Sequence, residues 1–309
     1  MPRSETKPTL LGAQAASRRL GEAGLLIAPE TLSIERREDR WCVTLPGDRM
    51  AWFPANARGR QRLEVERRVL ALLNARCRFA TPRVLFTGRD GWDLRALVPG
   101  KVDPWGYYQR LKSDRELGAR IGRSVGAALA EQHGAIVAED VAGWLSGVAN
   151  WPLPAAELAR RLPLVIDDAV MLARIERALR RYFDQPVARA DYALVHTDLG
   201  LHNMVFDPET DEVAGLFDYD SAAWADRCHD FRYLVFDAVS DATLDAALEA
   251  YEAATGLALS RARILLYNTA CAIGHLAWRM GAAPEENVSG RTLAEDLAWT
   301  DWALKRIGL

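Results

Sequence analysis

The chain has 309 residues, half of them apolar, and a formal net charge of −3. Its apolar stretches are too short, or too often interrupted by polar residues, to cross a bilayer core of about 30 Å, and residues 1–10 lack the apolar segment of a secretory signal. The four cysteines lie far apart with no Cys-x-x-Cys spacing, which is typical of reduced thiols. These features predict a cytoplasmic protein of two domains or lobes, without a membrane partner.

Charge is distributed unevenly along the chain. Residues 1–100 contain 18 Lys and Arg against 11 Asp and Glu, whereas the remainder contains 21 against 31. This balance would suit an anionic cofactor in the first part and a cationic substrate in the second, although an ordinary solvated surface explains the same counts. The arginines are spread along the chain rather than clustered with aromatic residues, so nucleic acid is not an expected partner.

The first third of the chain is predicted to be rich in β-strands. Apolar periodicity predicts two helices, and short apolar segments between polar turns predict five strands. In chain order these are a helix over Leu11–Leu20, strands over Thr31–Glu35, Trp41–Leu45 and Met50–Phe53, a helix over Arg60–Leu73, and strands over Arg83–Thr87 and Trp92–Val98. Pro99 and Gly100 then interrupt the pattern.

Long helices dominate after this break. They are predicted over Ser113–His133, Pro154–Leu162, Asp168–Phe183, Asp241–Thr255, Ser260–Met280 and Arg291–Ile307. One strand-rich segment, Tyr192–Tyr219, interrupts them. The sequence therefore predicts an α+β protein with a β-rich N-terminal domain over residues 1–98 and a helical C-terminal domain over residues 99–309.

The strand-rich segment carries polar residues at a spacing that suggests chemistry. An apolar strand leads to His196-x-Asp198, Asn203 follows five residues after Asp198, and a predicted hairpin then leads to Asp218. Phosphoryl transfer requires metal ions on the phosphate oxygens and a carboxylate that orients the attacking hydroxyl group. The pattern predicts Asp198 as that carboxylate, with Asn203 and Asp218 as metal ligands.

The predicted hairpin brings the two proposed ligands together. If its turn is centred between Thr210 and Asp211, Asn203 lies directly opposite Asp218. Facing residues of antiparallel strands have Cβ atoms about 5 Å apart. An amide oxygen and a carboxylate at that separation can hold the same divalent cation, because hard cations prefer oxygen ligands.

This segment resembles the catalytic core of the aminoglycoside phosphotransferase and choline kinase family, which shares its fold with the protein kinases. The resemblance is specific over Val195–Asp230, where Ala225–Asp230 is similar to a family segment ending in an aspartate that braces the catalytic loop. It implies a bilobal protein-kinase-like fold with a small β-rich N-terminal lobe and a larger, mainly helical C-terminal lobe. It also implies a small-molecule kinase that uses Mg²⁺, ATP or GTP, and a small-molecule acceptor.

The resemblance assigns roles to individual residues. It implies that Asp198 is the catalytic base and that His196 ties the catalytic loop to the metal-binding strand. It implies that Asn203 and Asp218 bind magnesium. Leu97, at the break between the two lobes, is implied to contact the nucleotide.

Nucleotide binding in this family relies on a Lys or Arg of the third strand that pairs with a helix glutamate. The helix glutamate here is Glu66, but Trp52 stands at the expected position of the cation. We expect Arg49 to replace that cation, with the loop residues Arg58 and Arg60 as alternatives. The departure leaves open whether ATP or GTP is the donor and whether the site is active.

Two other functions remain open at this point. A kinase-fold binding protein without catalysis is suggested by Trp52 and by the lack of a glycine-rich phosphate loop. A metal-dependent hydrolase would use His196, Asp198, His202 and Asp218 as ligands, since imidazole and carboxylate suit zinc. The hydrolase would leave the β-rich lobe without a role.

The identity of the acceptor depends on weaker evidence. The region after the hairpin contains the acidic residues Asp237, Asp241, Glu285, Glu286, Asp296 and Asp301. A cleft lined with one sign of charge concentrates ligands of the opposite sign, so we expect an amine-bearing hydroxyl compound such as an aminoglycoside. The same acids could simply keep the surface soluble. The sequence specifies neither the acceptor nor the oligomeric state.

Overall fold

Five strands of the N-terminal region form one antiparallel sheet in the computed structural model. The structure describes residues 11–149, 151–235, 241–288 and 290–309. The strands are β1 Ile34–Arg37, β2 Arg40–Leu45, β3 Arg49–Pro54, β4 Arg83–Thr87 and β5 Asp93–Ala96, in the order β1-β2-β3-β5-β4. Val43, Ala51 and Phe53 are buried in one core, where the Phe53 ring stacks on Trp92 with centroids 5.0 Å apart.

The strand bounds differ from the prediction by two or three residues at both ends of β1 and at the end of β5. The strand expected to begin at Thr31 begins at Ile34, because Pro29–Thr31 forms a 3₁₀ turn instead. Proline fixes φ near the value of such a turn and provides no N–H group for a sheet. The strand expected to run to Val98 ends at Ala96, after which the Leu97 N–H donates to Asp48 O at 2.8 Å.

Two helices accompany this sheet, α1 Ala13–Glu22 and α2 Ala57–Arg76. Asn56 caps α2, since its side-chain oxygen accepts a hydrogen bond from the Gly59 N–H at 2.9 Å. Leu63 and Leu70 are buried at helical spacing, as the sequence predicts. Glu66 is buried as well, at 2% exposure, and therefore requires partners of opposite charge.

Four more strands form two separate antiparallel pairs. The pairs are β6 Tyr192–Val195 with β9 Ala223–Asp226, and β7 Met204–Phe206 with β8 Val213–Leu216. The β7-β8 hairpin is hydrogen bonded to segments that precede it by a long stretch of chain. Lys101 N donates to Phe206 O at 2.8 Å, and Leu216 N donates to Ala80 O at 3.0 Å.

By its contacts the chain divides into two units. Among the described residues, the first contains those up to Val102 together with Asn203–Ser221, and the second contains those within Asp103–His202 and Ala222–Leu309. The predicted boundary between residues 98 and 99 assigned the β7-β8 hairpin to the second domain, whereas its contacts assign it to the first unit. Sequence patterns do not reveal such backbone pairing, because the bonded partners lie far apart in the chain.

The second unit is mainly helical. Its helices are α3 Pro104–Leu111, α4 Arg115–Ala135, α5 Ala138–Val141, α6 Ala155–Arg161, α7 Ala169–Phe183, α8 Ala242–Thr255, α9 Arg261–Trp278 and α10 Leu293–Arg306. The six helices predicted from periodicity all form, with ends within two residues of the prediction. The sequence analysis missed α3 and α5. None of the helices that the structure describes has the length and apolar character of a membrane span.

Helices α4 and α8 pack closely because glycines line the contact. A Cβ atom at Gly122 would lie 2.2 Å from Thr243 O, and one at Gly126 would lie 2.3 Å from Ala247 O. The backbones can approach this closely only without side chains at these positions. A separate core joins α6, α7, α9 and α10 through residues such as Ile273.

Candidate active site

The loop after β6 is held in place by a buried aspartate. The Asp230 carboxylate is completely buried and accepts hydrogen bonds from the backbone N–H groups of His196, at 3.0 Å, and Thr197, at 2.9 Å. Gln132 Nε2 and His133 Nε2 lie 3.1 Å from the same carboxylate. Burial alone would raise the pKa of Asp230, but the hydrogen bonds from His133 and the loop hold it below its ordinary value.

Arg232 supports the other side of the same loop. Its buried guanidinium donates to Thr197 O, to Trp151 O at 2.7 Å and to the His229 ring at 2.9 Å. Burial lowers the pKa of His229 well below its ordinary value, so its ring is neutral beside the arginine. The sequence analysis recognised the aspartate brace but missed Arg232, which lies only two residues beyond Asp230.

Asp198 extends from this braced loop. Its side chain is 43% exposed, and one carboxylate oxygen lies 3.3 Å from His202 Nε2. Burial alone would raise the pKa of Asp198, but the hydrogen bond and charge of His202, together with His196 and Arg232, lower it. Asp198 is therefore a carboxylate at neutral pH, and an ionised carboxylate is what a proton acceptor must be.

His196 is completely buried at the start of the loop. Its Nδ1 accepts a hydrogen bond from the Asp198 N–H at 3.3 Å. Thr197, between them, has a left-handed backbone with φ of 69°, a conformation that non-glycine residues adopt at a cost. His196 thus shapes the loop from within rather than facing solvent.

Asn203 and Asp218 lie at one end of the β7-β8 hairpin. The predicted pairing of Asn203 with Asp218 is wrong by one residue: Met204 pairs with Leu216, and Phe217 N donates to Asn203 O at 3.1 Å. Asp218 is therefore one residue beyond the position opposite Asn203, and its φ of 67° turns the chain there.

The turn of the hairpin explains the difference in register. The Asp207 side chain accepts from the N–H groups of Glu209, at 2.8 Å, and Thr210, at 2.9 Å. Asp211 has a left-handed backbone with φ of 58°, and the register shifts between Val205 and Phe206. A turn closed by side-chain hydrogen bonds, followed by a bulge, moves the strands by one residue relative to a symmetric turn.

The oxygen donors of Asn203 and Asp218 suit a hard divalent cation such as Mg²⁺, which one amide and one carboxylate commonly bind together with water and phosphate oxygens. Within the described residues, no group of three or more His, Cys, Asp or Glu side chains could hold a metal ion. The ligand set required by a zinc hydrolase is therefore not assembled in that part of the chain.

Glu66 forms ion pairs with two arginines of the sheet. Its carboxylate lies 2.6 Å from Arg95 of β5 and 3.6 Å from Arg40 of β2, and all three side chains are at least nine-tenths buried. The expected pairing of Arg49 with Glu66 is wrong. The Arg49 Nε instead donates to Pro46 O at 3.0 Å, at the start of β3. The cations that pair with Glu66 thus come from the two strands beside β3 and not from β3 itself.

Trp52 occupies the place between these arginines. It pairs with Cys42 on β2 and Asp93 on β5, on the sheet face that also carries Arg40 and Arg95. The Arg40 guanidinium carbon lies 4.9 Å from the centre of a Trp52 ring. Trp52 therefore lies on the same sheet face as the two arginines that pair with Glu66, and Arg40 stacks on its ring.

Asp220 links the segment after Asp218 to the same cluster. Its carboxylate pairs with Arg40 and, at 2.6 Å, with Arg62 of α2, and its side chain is only 5% exposed. Burial lowers the pKa of Arg62, but Asp220 and the other neighbouring acids more than offset this, so the guanidinium stays charged. Asp220 thus anchors the chain two residues after the proposed metal ligand.

A cavity of about 470 Å³ opens beside Asp198 in the second unit. Five of its described lining residues are tryptophan or tyrosine, and the predicted acidic lining is wrong for the five acids that the structure describes. Asp296 pairs with Arg279, Asp301 with Arg174 and Lys305, and Asp241 with Arg261 and Arg306, while Glu285 and Glu286 do not line the cavity either. Asp237 lies outside the described residues.

Comparison with known proteins identifies the family of this chain. The model of a family described as the phosphotransferase enzyme family matches residues 4–265. The chain belongs to that family. This confirms the resemblance drawn from Val195–Asp230 and makes a small-molecule phosphotransferase the supported class. A search of the curated proteins found no match.

Solved structures confirm the kinase-like α+β fold of the phosphotransferase. A macrolide 2'-phosphotransferase from Brachybacterium faecium is 20% identical, with a TM-score of 0.64 over 94% of this chain and 98% of that one. The GDP complex of wild-type aminoglycoside 2'-phosphotransferase-IIIa is 16% identical, with a TM-score of 0.59 over 94% and 97%. A streptomycin–ATP complex of the aminoglycoside phosphotransferase APH(2")-IIa is 16% identical, with a TM-score of 0.60 over 87% and 94%.

Proposed function

We propose that this phosphotransferase moves the γ-phosphoryl group of ATP or GTP to a hydroxyl group of a small molecule. The observation that carries the proposal is the Asp198 carboxylate, which is ionised and partly exposed. It lies on a loop whose backbone is hydrogen bonded to Asp230 and Arg232. An acceptor hydroxyl in the adjoining cavity could donate its proton to this carboxylate.

The reaction follows from the chemistry of phosphoryl transfer. The acceptor oxygen attacks the γ-phosphorus, the bond to the β–γ bridging oxygen breaks, and the proton of the hydroxyl group passes to Asp198. Asn203 and Asp218 would hold Mg²⁺, which would offset the charge of the phosphate oxygens when bound. His196 keeps the loop in shape and takes no proton in this scheme.

The proposed nucleotide contacts involve the cations of the first unit. Arg95 and Arg40, which pair with Glu66, replace the missing lysine in this proposal, and Arg49 does not. Paired to a buried glutamate, their guanidinium groups are fixed in position at little further entropic cost. Leu97 remains a proposed contact to the nucleotide base.

The experiment is a panel of hydroxyl compounds assayed with ATP and with GTP in the presence of Mg²⁺, with nucleoside diphosphate as the readout. The proposal expects at least one acceptor to raise diphosphate formation above the rate with nucleotide alone. No acceptor-dependent turnover, with nucleotide binding intact, would favour a second candidate, a binding protein without catalysis. That candidate is supported by the sequence of β3, which has no lysine and carries Trp52 beside Arg40.

A further inference from the structure

The cavity beside Asp198 presents flat apolar walls. Trp105 of α3 and Trp278 of α9 line it, and these residues are 57% and 50% exposed. Tyr108, Tyr233 and Trp299 complete most of the aromatic lining. Aromatic side chains left this open to water at a concave site are a favourable surface for an apolar ligand, which would remove them from water. A volume of about 470 Å³ is typical of small-molecule sites.

Among the described residues that line this cavity, two are acidic or basic besides the histidines. One is Asp198, which is paired with His202, and the other is Arg291. His275 also contributes to the wall, but burial lowers its pKa to about 4, so its ring is neutral at physiological pH. Of these two residues, Asp198 would attract a ligand with several positive charges and Arg291 would repel it.

Arg291 is held so that its charge remains available. Its guanidinium carbon lies 4.4 Å from the centre of a Trp299 ring, and the residue forms no ion pair with the described side chains. Two acids of α10 close to it in the chain are engaged elsewhere. The Glu295 carboxylate accepts from Thr292 N at 2.7 Å, and Asp296 pairs with Arg279 at 3.1 Å. Stacking on an indole fixes a guanidinium without neutralising it.

We infer that the acceptor is a hydroxyl compound with a flat apolar body and an anionic group, and that Arg291 binds that group. The inference rests on the proposed function, because it places the hydroxyl group at Asp198. The apolar body stacks between the tryptophans, while the guanidinium donates charge-assisted hydrogen bonds to the anion. Polycationic acceptors, which the charge counts favoured, are disfavoured by the same residue.

The test measures binding by calorimetry with three probes in the absence of turnover. Tryptophol provides an indole and a hydroxyl group, indole-3-lactate adds a carboxylate, and kanamycin is a polycation. The inference expects indole-3-lactate to bind about tenfold more tightly than tryptophol, an advantage that shrinks with added salt, and kanamycin to bind most weakly. Arg291→Gln should remove the preference for indole-3-lactate and leave tryptophol binding unchanged, while Arg291→Lys should retain part of it.

A second stacked arginine provides the control. The Arg306 guanidinium lies 4.8 Å from a Trp302 ring but does not line this cavity, so Arg306→Gln should leave the preference intact. Equal binding of the two indoles, tightest binding of kanamycin, or no binding of any probe would overturn the inference. A protein that binds indole-3-lactate through Arg291 but phosphorylates no acceptor would overturn the proposed function and leave the role of Arg291 as an anion-binding residue standing. An active enzyme that prefers kanamycin would overturn the inference about Arg291 and leave the proposed function intact.

Discussion

Asp198 and Asp230 are both carboxylates with lowered pKa values, but for different reasons and in different places. Asp230 is completely buried, and its charge is satisfied by His133, Gln132 and two backbone N–H groups. Asp198 is 43% exposed and has His202 beside it. The first environment fixes a loop, and the second leaves the proposed base open to solvent and to a substrate.

Replacement of Asp230 tests whether its hydrogen bonds hold the loop after β6 in place. In Asp230→Asn the neutral amide accepts more weakly, and its NH₂ group faces donors that need an acceptor. Removing one partner of a buried charged network costs about 3–5 kcal/mol. We expect a loss of that order in the free energy of unfolding, measured with urea, and a lower kcat. Asp167→Asn, at an exposed position, is the control, and equal stability of the two variants would contradict the account.

Asp230 should also make the free energy of unfolding depend on pH in the acid range. The pKa of Asp230 is lower in the folded protein than the unfolded value of about 3.9. Its contribution to stability is therefore complete above that unfolded value and is lost as the pH falls through the folded pKa. The free energy of unfolding of Asp230→Asn should depend less steeply on pH below about 4 than that of the wild type. Parallel pH profiles would contradict this.

At the scale of elements, helices were more predictable than strand register. Apolar spacing gave the ends of helices such as α4 and α7 because periodicity is local. The register of β7 against β8 could not be obtained in the same way. It depends on the hydrogen bonds that the Asp207 side chain accepts from two backbone N–H groups and on the bulge at Val205, which shift the strands without changing the apolar pattern. For the same reason, the partners of Glu66 came from β2 and β5 rather than from the strand that the sequence favoured.

The contact of α4 with α8 gives a matched pair of glycine substitutions. A Cβ atom at Gly122 would overlap the Thr243 carbonyl oxygen, so Gly122→Ala should destabilise the protein by roughly 1–3 kcal/mol through overpacking. Gly134 lies in the same helix with no atom within 4 Å of its added Cβ. Gly134→Ala should be neutral or slightly stabilising. Thermal unfolding of both variants measures this, and similar melting temperatures would contradict the packing described.

The arginines of the sheet allow another matched comparison. Arg95→Gln leaves Glu66 with one partner and removes a proposed phosphate contact, so the Kd for the Mg²⁺–nucleotide complex should rise by tenfold or more, since about 1.4 kcal/mol is tenfold. Arg49→Gln should leave it unchanged, because Arg49 bonds to Pro46 O at the strand end. Calorimetry with ATP and GTP measures both. Weaker binding in Arg49→Gln alone would restore the original assignment.

At the scale of the whole molecule, charge counts predicted less than sequence motifs. The acids of the C-terminal part were expected near the acceptor, yet Asp241, Asp296 and Asp301 form ion pairs with arginines and a lysine. A count cannot say which charges neutralise one another, because that depends on tertiary neighbours. The family and the fold class were predictable, because the resemblance depends on a local pattern of residues, and the family match over residues 4–265 confirms them.

The most direct test of the central claim is the Asp198→Asn variant, assayed with an acceptor that the wild type phosphorylates. If Asp198 accepts the proton of the hydroxyl group, kcat should fall by roughly 10²–10⁴-fold while the Kd for nucleotide stays the same. Asp167→Asn should retain full activity. Unchanged kcat in Asp198→Asn would contradict the account, because the loop held by Asp230 and Arg232 would then present a carboxylate that the reaction does not use.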